Sequence, residues 1–565
     1  MSDNLLLSLL WSVPLAGCFL VLLIPGRQEL AIKVTALIVT ILTAALTVAA
    51  FAQYTGEGLT GESLQDRAAA NVVTNLASGD SANVTEGNEN DLVVRRPWIP
   101  YFNIQYYLGL DGISLSLILL TGLVAVLSCL ASWSIDKQVK GYFALFLLLT
   151  ASMIGVFLSL DMFLFYVFFE VMLLPMYFLI AVWGGEQREY AAIKFLLYTL
   201  FGSVFILVAI LILYFWPGPD GRAIYSFDAV RLATLTGNFS MDVQQWIFGL
   251  FLIGFCVKLP AFPFHTWLPD AHVQAPTPIS MILAGVLLKI GGYGLVRLAW
   301  PLAPAGAVSL SMVVAVVGVV SILYGALAAM AQTDFKKLVA YSSVSHMGYV
   351  TLGMAAMSLV GDDRYYAYGV NGAMYMMLAH GITSTAMFFL VGVIYERAHT
   401  RDLKKLGGLL NAMPLYGAVS FLIFFGSMGL PGLCGFVAEV FVILAAFHYD
   451  IALGVLAAAA VILTAGYILW TLQRVFLGRN EQYRGLPDLS AREVVIAVPL
   501  VVLTVLMGIF PQALVLDWMS PSVNQMASRA MSAARTAQPA PGVGVGAPTI
   551  TTLPAPAEGG ELATR

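Results

Sequence analysis

The chain has 565 residues, 59% hydrophobic and 11% charged, with a formal net charge of −4 and a mean hydropathy of +0.85. Soluble domains carry about 25% charged residues, so this composition excludes a large soluble domain and describes an integral membrane protein. The small net charge gives nucleic-acid binding no electrostatic footing, and Cys18, Cys129, Cys256 and Cys434 lie in apolar runs without metal-ligand or disulfide spacing.

A bilayer-spanning helix needs about 20 mostly apolar residues. Fourteen segments qualify, at 4–24, 30–52, 112–134, 141–159, 162–183, 190–216, 244–261, 279–300, 306–331, 337–358, 368–395, 414–445, 451–475 and 493–516. None shows the alternation of a barrel strand, so the expected fold class is all-α, a polytopic membrane protein of about 14 transmembrane helices. The first segment lacks a basic leader and is long enough to span, which argues against a signal peptide. Residues 1–52 are N-terminal spans and 53–111 a polar, flexible exterior insertion. Residues 112–300 and 301–491 form two halves of a core, 492–529 a last span and its end, and 530–565 a disordered Pro/Ala-rich tail.

Basic residues concentrate in alternate loops, as at Arg27 and Lys33, Lys137 and Lys140, Lys336 and Lys337, and Arg397 to Lys405. The positive-inside rule makes these loops cytoplasmic and puts both termini outside.

Against this apolar background a few ionisable residues stand inside spans. Glu170 interrupts FLFYVFFEVMLLPMYFLI at 163–180, Lys258 lies in the seventh segment and Lys289 in the eighth. His346 is in the tenth, His380 in the eleventh and Glu439 in the twelfth. A charge at the bilayer centre costs roughly 2.5–3.5 kcal/mol on insertion scales, so such residues mark function. Two segments also carry backbone breakers: Pro260 and Pro263 follow Lys258, and Pro431, Gly432 and Gly435 precede Glu439. A broken helix survives at membrane depth only where freed carbonyls meet protein or water. Paired broken segments are also a mark of inverted-repeat transporters.

Burial favours neutral Lys and neutral Glu, and an opposite charge favours ionisation. At about 4 Å and an effective dielectric of about 20, that attraction is about 4 kcal/mol, roughly three pKa units. A lysine with a movable carboxylate partner can therefore take and release a proton near neutral pH. This reading lets Glu170 tune Lys258, passes the proton to Lys289, relays it through the histidines and ends at Glu439. His265 and His272 lie near the first break as relay or structural residues. The plainer alternatives are a static Glu170–Lys258 pair and hydrogen-bonded core histidines. Asp161, Lys194, Lys336 and Lys337 fall at helix ends and read as solvated.

The stretches FYVFFEVMLLPMYFLIAVWG, KLPAFPFHTWLPDAHVQAPTPISMILAGVLLKIGGYG, KKLVAYSSVSHMGYV and GLPGLCGFVAEV resemble the antiporter-like subunits of respiratory complex I over about residues 100–515. The family has relatives in multisubunit cation/proton antiporters and membrane-bound hydrogenases. LPDAHVQAPTP, Glu439 in place of a lysine, and the lack of a long lateral C-terminal helix favour its M-type branch. The resemblance implies helices four to eight and nine to thirteen as inverted repeats with two broken helices. It implies Glu170 and Lys258 as a coupling pair, Lys289 as central relay and Glu439 as exit carboxylate. It also implies a proton-translocating membrane-arm subunit of NADH:quinone oxidoreductase without a cofactor of its own, the FMN, iron–sulfur clusters and quinone residing in other subunits. Expected partners are the other membrane-arm subunits, above all the two other antiporter-like ones, in the bilayer of a bacterial inner membrane. A sodium/proton antiporter subunit, a hydrogenase subunit and a passive structural subunit are the alternatives.

Overall fold

The computed structural model describes residues 3–69, 91–218, 221, 223–357 and 363–537. All fourteen expected spans are helical within it. They are α1 (Asp3–Leu23), α2 (Glu29–Gly56), α3 (Gly112–Ala131), α4 (Val139–Leu158), α5 (Met162–Trp183, interrupted at Met172) and α6 (Arg188–Phe215). The seventh segment breaks into α7 (Met241–Lys258) and α8 (Trp267–Gln274). Then come α9 (Thr277–Leu302), α10 (Pro304–Met330), α11 (Phe335–Ala355) and α12 (Asp363–Ala398). The twelfth segment breaks into α13 (Pro414–Ser427) and α14 (Cys434–Tyr449), followed by α15 (Ile451–Phe476) and α16 (Ala491–Ile509).

Local chemistry sets the helix starts. Asp111, Asp161, Asp334 and Asp450 accept backbone N–H bonds from the first turns of α3, α5, α11 and α15, and Ser490 with Glu493 makes a capping box on α16. Small residues set the packing. A Cβ on Gly325 would come within 2.5 Å of Ser345 N, and one on Gly348 within 2.7 Å of Ile322 N, so α10 and α11 touch backbone to backbone.

The outer helices α1, α2, α6, α15 and α16 each leave an apolar face uncovered, suited to lipid. By contrast, α9 and α12 are enclosed by protein along their most apolar stretches. So is α11, which carries Ser342, Ser343, Ser345 and His346 and needs no lipid-facing surface. Helix α9 is widened by π-helical turns at Leu283–Leu287 and Leu295–Ala299, on either side of Lys289.

Two regions differ from expectation. The exterior insertion was expected to be flexible, yet its last part is an antiparallel hairpin of β1 (Val93–Ile99) and β2 (Ile104–Gly109). Its β-branched and aromatic residues favour a strand, and it is fixed to the core. Arg95 pairs with Asp228 at 2.6 Å, Gln105 N donates to Asp161 at 3.0 Å, and Leu108 bridges Ser159. Most of the polar run SGDSANVTEGNEND lies outside the described residues. The second region follows α16. There α17 (Asp517–Ala537) continues past residue 530, where the sequence suggests a tail. Its buried Met519, Val523, Ala527, Ala530, Met531 and Ala534 make one stripe, half of it alanine and too weak to read as a span. It packs over α3, α10 and α12. The rest of the tail, 538–565, lies outside the described residues.

Candidate functional site

The enclosed helices bring three candidate residues into one cluster. Lys289 of α9 lies 2.8 Å from His380 Nδ1 of α12, and its ammonium also donates to Ala284 O inside the first π turn. The His380 ring lies 5.3 Å, centroid to centroid, from that of His346 on α11. His346 Nδ1 meets Ser342 O at 2.8 Å and its Nε2 meets Ser427 O at 2.9 Å. All three side chains are buried.

Glu439, buried in the second turn of α14, lies beyond this cluster. Gly429, in the break between α13 and α14, has φ +77° and presses on its carboxylate; a Cβ there would overlap Glu439 Oε2. Tyr349 and Tyr467 stand close enough to feel its charge.

On the other flank, Glu170 and Lys258 do not form an ion pair. Lys258 Nζ and Glu170 Oε1 are buried without a hydrogen-bond partner among the described residues, Tyr166 stands within hydrogen-bonding reach of the Glu170 carboxylate, and Lys258 feels the charge of Glu170. The ammonium instead stands 5.2 Å from the Phe169 ring and 5.5 Å from the Phe195 ring, a cation–π setting. Lys258 is the last residue of α7, so the negative end of the helix dipole also favours its charge. Glu170 is half-buried beside the exposed Val171 and Leu174.

The two remaining candidate histidines are aromatic-packed. His265 lies between Phe262 and Tyr324, and His272 stacks on Phe388 at 4.3 Å. Neither ring has a hydrogen-bond partner among the described residues. His272 stands within electrostatic reach of both Lys289 and Lys336, whereas His265 stays apart from the central cluster.

Residues 159–464, which contain all eight candidates, match the family described as NADH:quinone oxidoreductase/Mrp antiporter, TM. The chain belongs to that family. This antiporter-family chain is 44% identical to NADH-quinone oxidoreductase subunit M of Rhodobacter capsulatus over 438 residues, 76% of this chain and 83% of that protein. It matches a chain of respiratory complex I from Thermus thermophilus at 28% identity and a TM-score of 0.78, over 93% of this chain and 99% of that one. A chain of the Mrp complex from Dietzia sp. DQ12-45-1b shares the fold, with a TM-score of 0.74 at 21% identity over 95% and 100% of the two chains.

Several antiporter-family residues lie where sequence reasoning did not place them. Lys336 is buried rather than solvated, and its ammonium donates to Ala275 O at 2.6 Å, at the end of α8. It lines a cleft of about 570 Å³ with Gly184, Gln274, Tyr395 and Arg401. Lys194 pairs with Asp270 at 2.7 Å. Asp161 is buried; burial pushes its carboxyl up to about 7, against hydrogen bonds from Leu164, Gln105 and Phe163 amides and with the charge of Asp228 adding to the rise. Arg297 was overlooked altogether. It pairs with Asp111 at 2.5 Å beside Ser114 and Tyr293, next to a cleft of about 410 Å³ at the opposite end of the bundle. Burial works against the Asp111 carboxylate, but Arg297 holds its pKa below the usual value. Position Arg297, eight residues after Lys289 on the same helix, was the available signal.

Proposed function

We propose that this antiporter-family chain is the M-type proton-translocating subunit of the membrane arm of an NADH:quinone oxidoreductase. The observation that carries the reading is the contact chain Lys289–His380–His346 inside three protein-enclosed helices, with Lys258 on one flank and Glu439 on the other. Such groups are costly in a membrane unless they exchange charge with one another or with water. Lys289, His380 and His346 can pass a proton in steps of one side chain, and water bridges the longer steps to Lys258 and Glu439 in this reading.

In this reading Glu170 sets the proton affinity of Lys258 through space. Lys289 and His380 share the next proton, His346 carries it toward the second break, and Glu439 releases it outward. His272 links Lys289 to Lys336 and its cleft on the basic, inward side. No residue here is assigned hydride or electron transfer, which falls to FMN, iron–sulfur clusters and quinone in partner subunits. Those partners include two other antiporter-like chains, in a bacterial inner membrane with both termini of this chain outside.

Inside-out membrane vesicles test the reading. NADH-driven acidification should be present in the parent and lost in Glu439→Gln with the complex still assembled. Proton movement driven by a sodium gradient without NADH would favour the antiporter alternative. Undiminished pumping in the variant would leave only a structural role for these residues.

A further inference from the structure

The break between α13 and α14 leaves one carbonyl in an unusual position. In an unbroken helix Ser427 O would accept from the N–H of residue 431. Residue 431 is proline and has no N–H to give. The donor that meets Ser427 O is His346 Nε2 at 2.9 Å, across from α11. The same ring meets Ser342 O with Nδ1 at 2.8 Å. Carbonyl oxygens only accept, and a neutral imidazole carries one N–H. Both contacts can be hydrogen bonds only when both nitrogens are protonated.

The two contacts are not equivalent. Ser342 is one turn back on the same helix as His346, so that bond needs no tertiary movement. The Ser427 bond joins two helices. Beyond Ser427 the backbone turns through Gly429, which presses on the Glu439 carboxylate, and Gly432, at φ +90°. Removing one proton from His346 therefore gives up the Ser427 bond first and frees the segment that confines Glu439.

We propose that His346, besides carrying the proton, is a proton-dependent latch on the second helix break that sets how tightly Glu439 is enclosed. With two ring protons it holds α13 and keeps Gly429 against the carboxylate. With one it lets 428–433 relax, opening room for water at Glu439. The titratable groups that face His346 are Lys289 from α9 and His380 from α12; His272 of α8 acts on His380 behind them, and Tyr467 of α15 stands between Ser342 and Glu439. A proton on Lys289 or His380 opposes a second proton on His346, so the latch opens when the upstream pair is loaded. The inference rests on the proton-translocation reading above.

Amide hydrogen exchange in the intact complex in nanodiscs tests it, read in peptides spanning 426–436 and corrected for intrinsic rates. The parent should lose about tenfold protection as pH rises across the histidine range, the scale of one hydrogen bond. His346→Asn should be unprotected at every pH. Pro431→Ala, which restores an N–H for Ser427 O, should be protected at every pH. Exchange in the parent that ignores pH, or a pH response that survives in either variant, overturns the latch. Vesicle pumping by Glu439→Gln separates the two ideas: lost pumping with pH-insensitive exchange removes the latch alone, and retained pumping removes the reading beneath it.

Discussion

The two helix breaks use the same device to opposite ends. In each, proline denies a carbonyl its helical donor and the chain turns before resuming as a helix. At the first break the ionisable residue comes before the gap, as Lys258 at the C-terminus of α7. Its charge is favoured by the helix dipole and by two aromatic faces, with Glu170 as a distant counter-charge. At the second break the ionisable residue comes after the gap, as Glu439, one turn into α14 and beyond the reach of the dipole. Among the described residues it has no ion-pair partner, and Gly429 encloses it instead. The first break is built to hold a charge and the second to confine one. That asymmetry suits a path with a loading end and a release end.

The comparison breaks most readily at its ends. Lys258→Met and Glu439→Gln are each expected to cut NADH-driven proton pumping by about 10². The double variant should be no worse than either single one, because the residues act in series. Additive losses would mean two independent paths. Gly429→Ala comes next. Its Cβ meets the Glu439 carboxylate and its φ is +77°, so pumping should fall in an assembled complex, with a local cost of about 1–2 kcal/mol. A Gly→Ala change at Gly466, where an added Cβ finds its nearest neighbour at 3.4 Å, is the control. Glu170→Gln should do less, about tenfold, because Glu170 acts on Lys258 without touching it. A loss as large as that of Lys258→Met would mean that the two do meet during turnover.

The smallest expected effect lies outside the spans. With its carboxyl up at about 7, Asp161 keeps its proton in the folded protein over a range where the unfolded chain has lost it. Protons therefore favour the fold from about pH 4 to about 7, and local stability drops as pH rises through that window. Corrected for intrinsic rates, protection of the β2 amides near Gln105 should fall several-fold between pH 5 and pH 8. Asp161→Asn should flatten that slope.

Most of this architecture is legible in the sequence because a membrane helix must satisfy its own backbone and show an apolar run. Glu170, Lys258, Lys289, His346, His380 and Glu439 stood out because each is costly in such a run. Contacts are less legible. Nothing in the spacing says that Lys289 meets His380 while Glu170 stays clear of Lys258, since both depend on helix rotation. Lys336 looked solvated because it begins a helix, and only the folded chain shows the end of α8 lying over it. Arg297 was lost among apolar neighbours for want of a visible partner, because Asp111 is 186 residues away. The hairpin was hidden by the polar run before it.

That hairpin has a mechanical consequence. By joining Asp228, Asp161 and Ser159 it clamps one rim of the bundle at α4, α5 and the segment before α7. Helices pinned at one end can only sway about that end. Displacement in any working cycle must then grow with distance from the rim and be largest at the opposite end of the bundle, near Lys336.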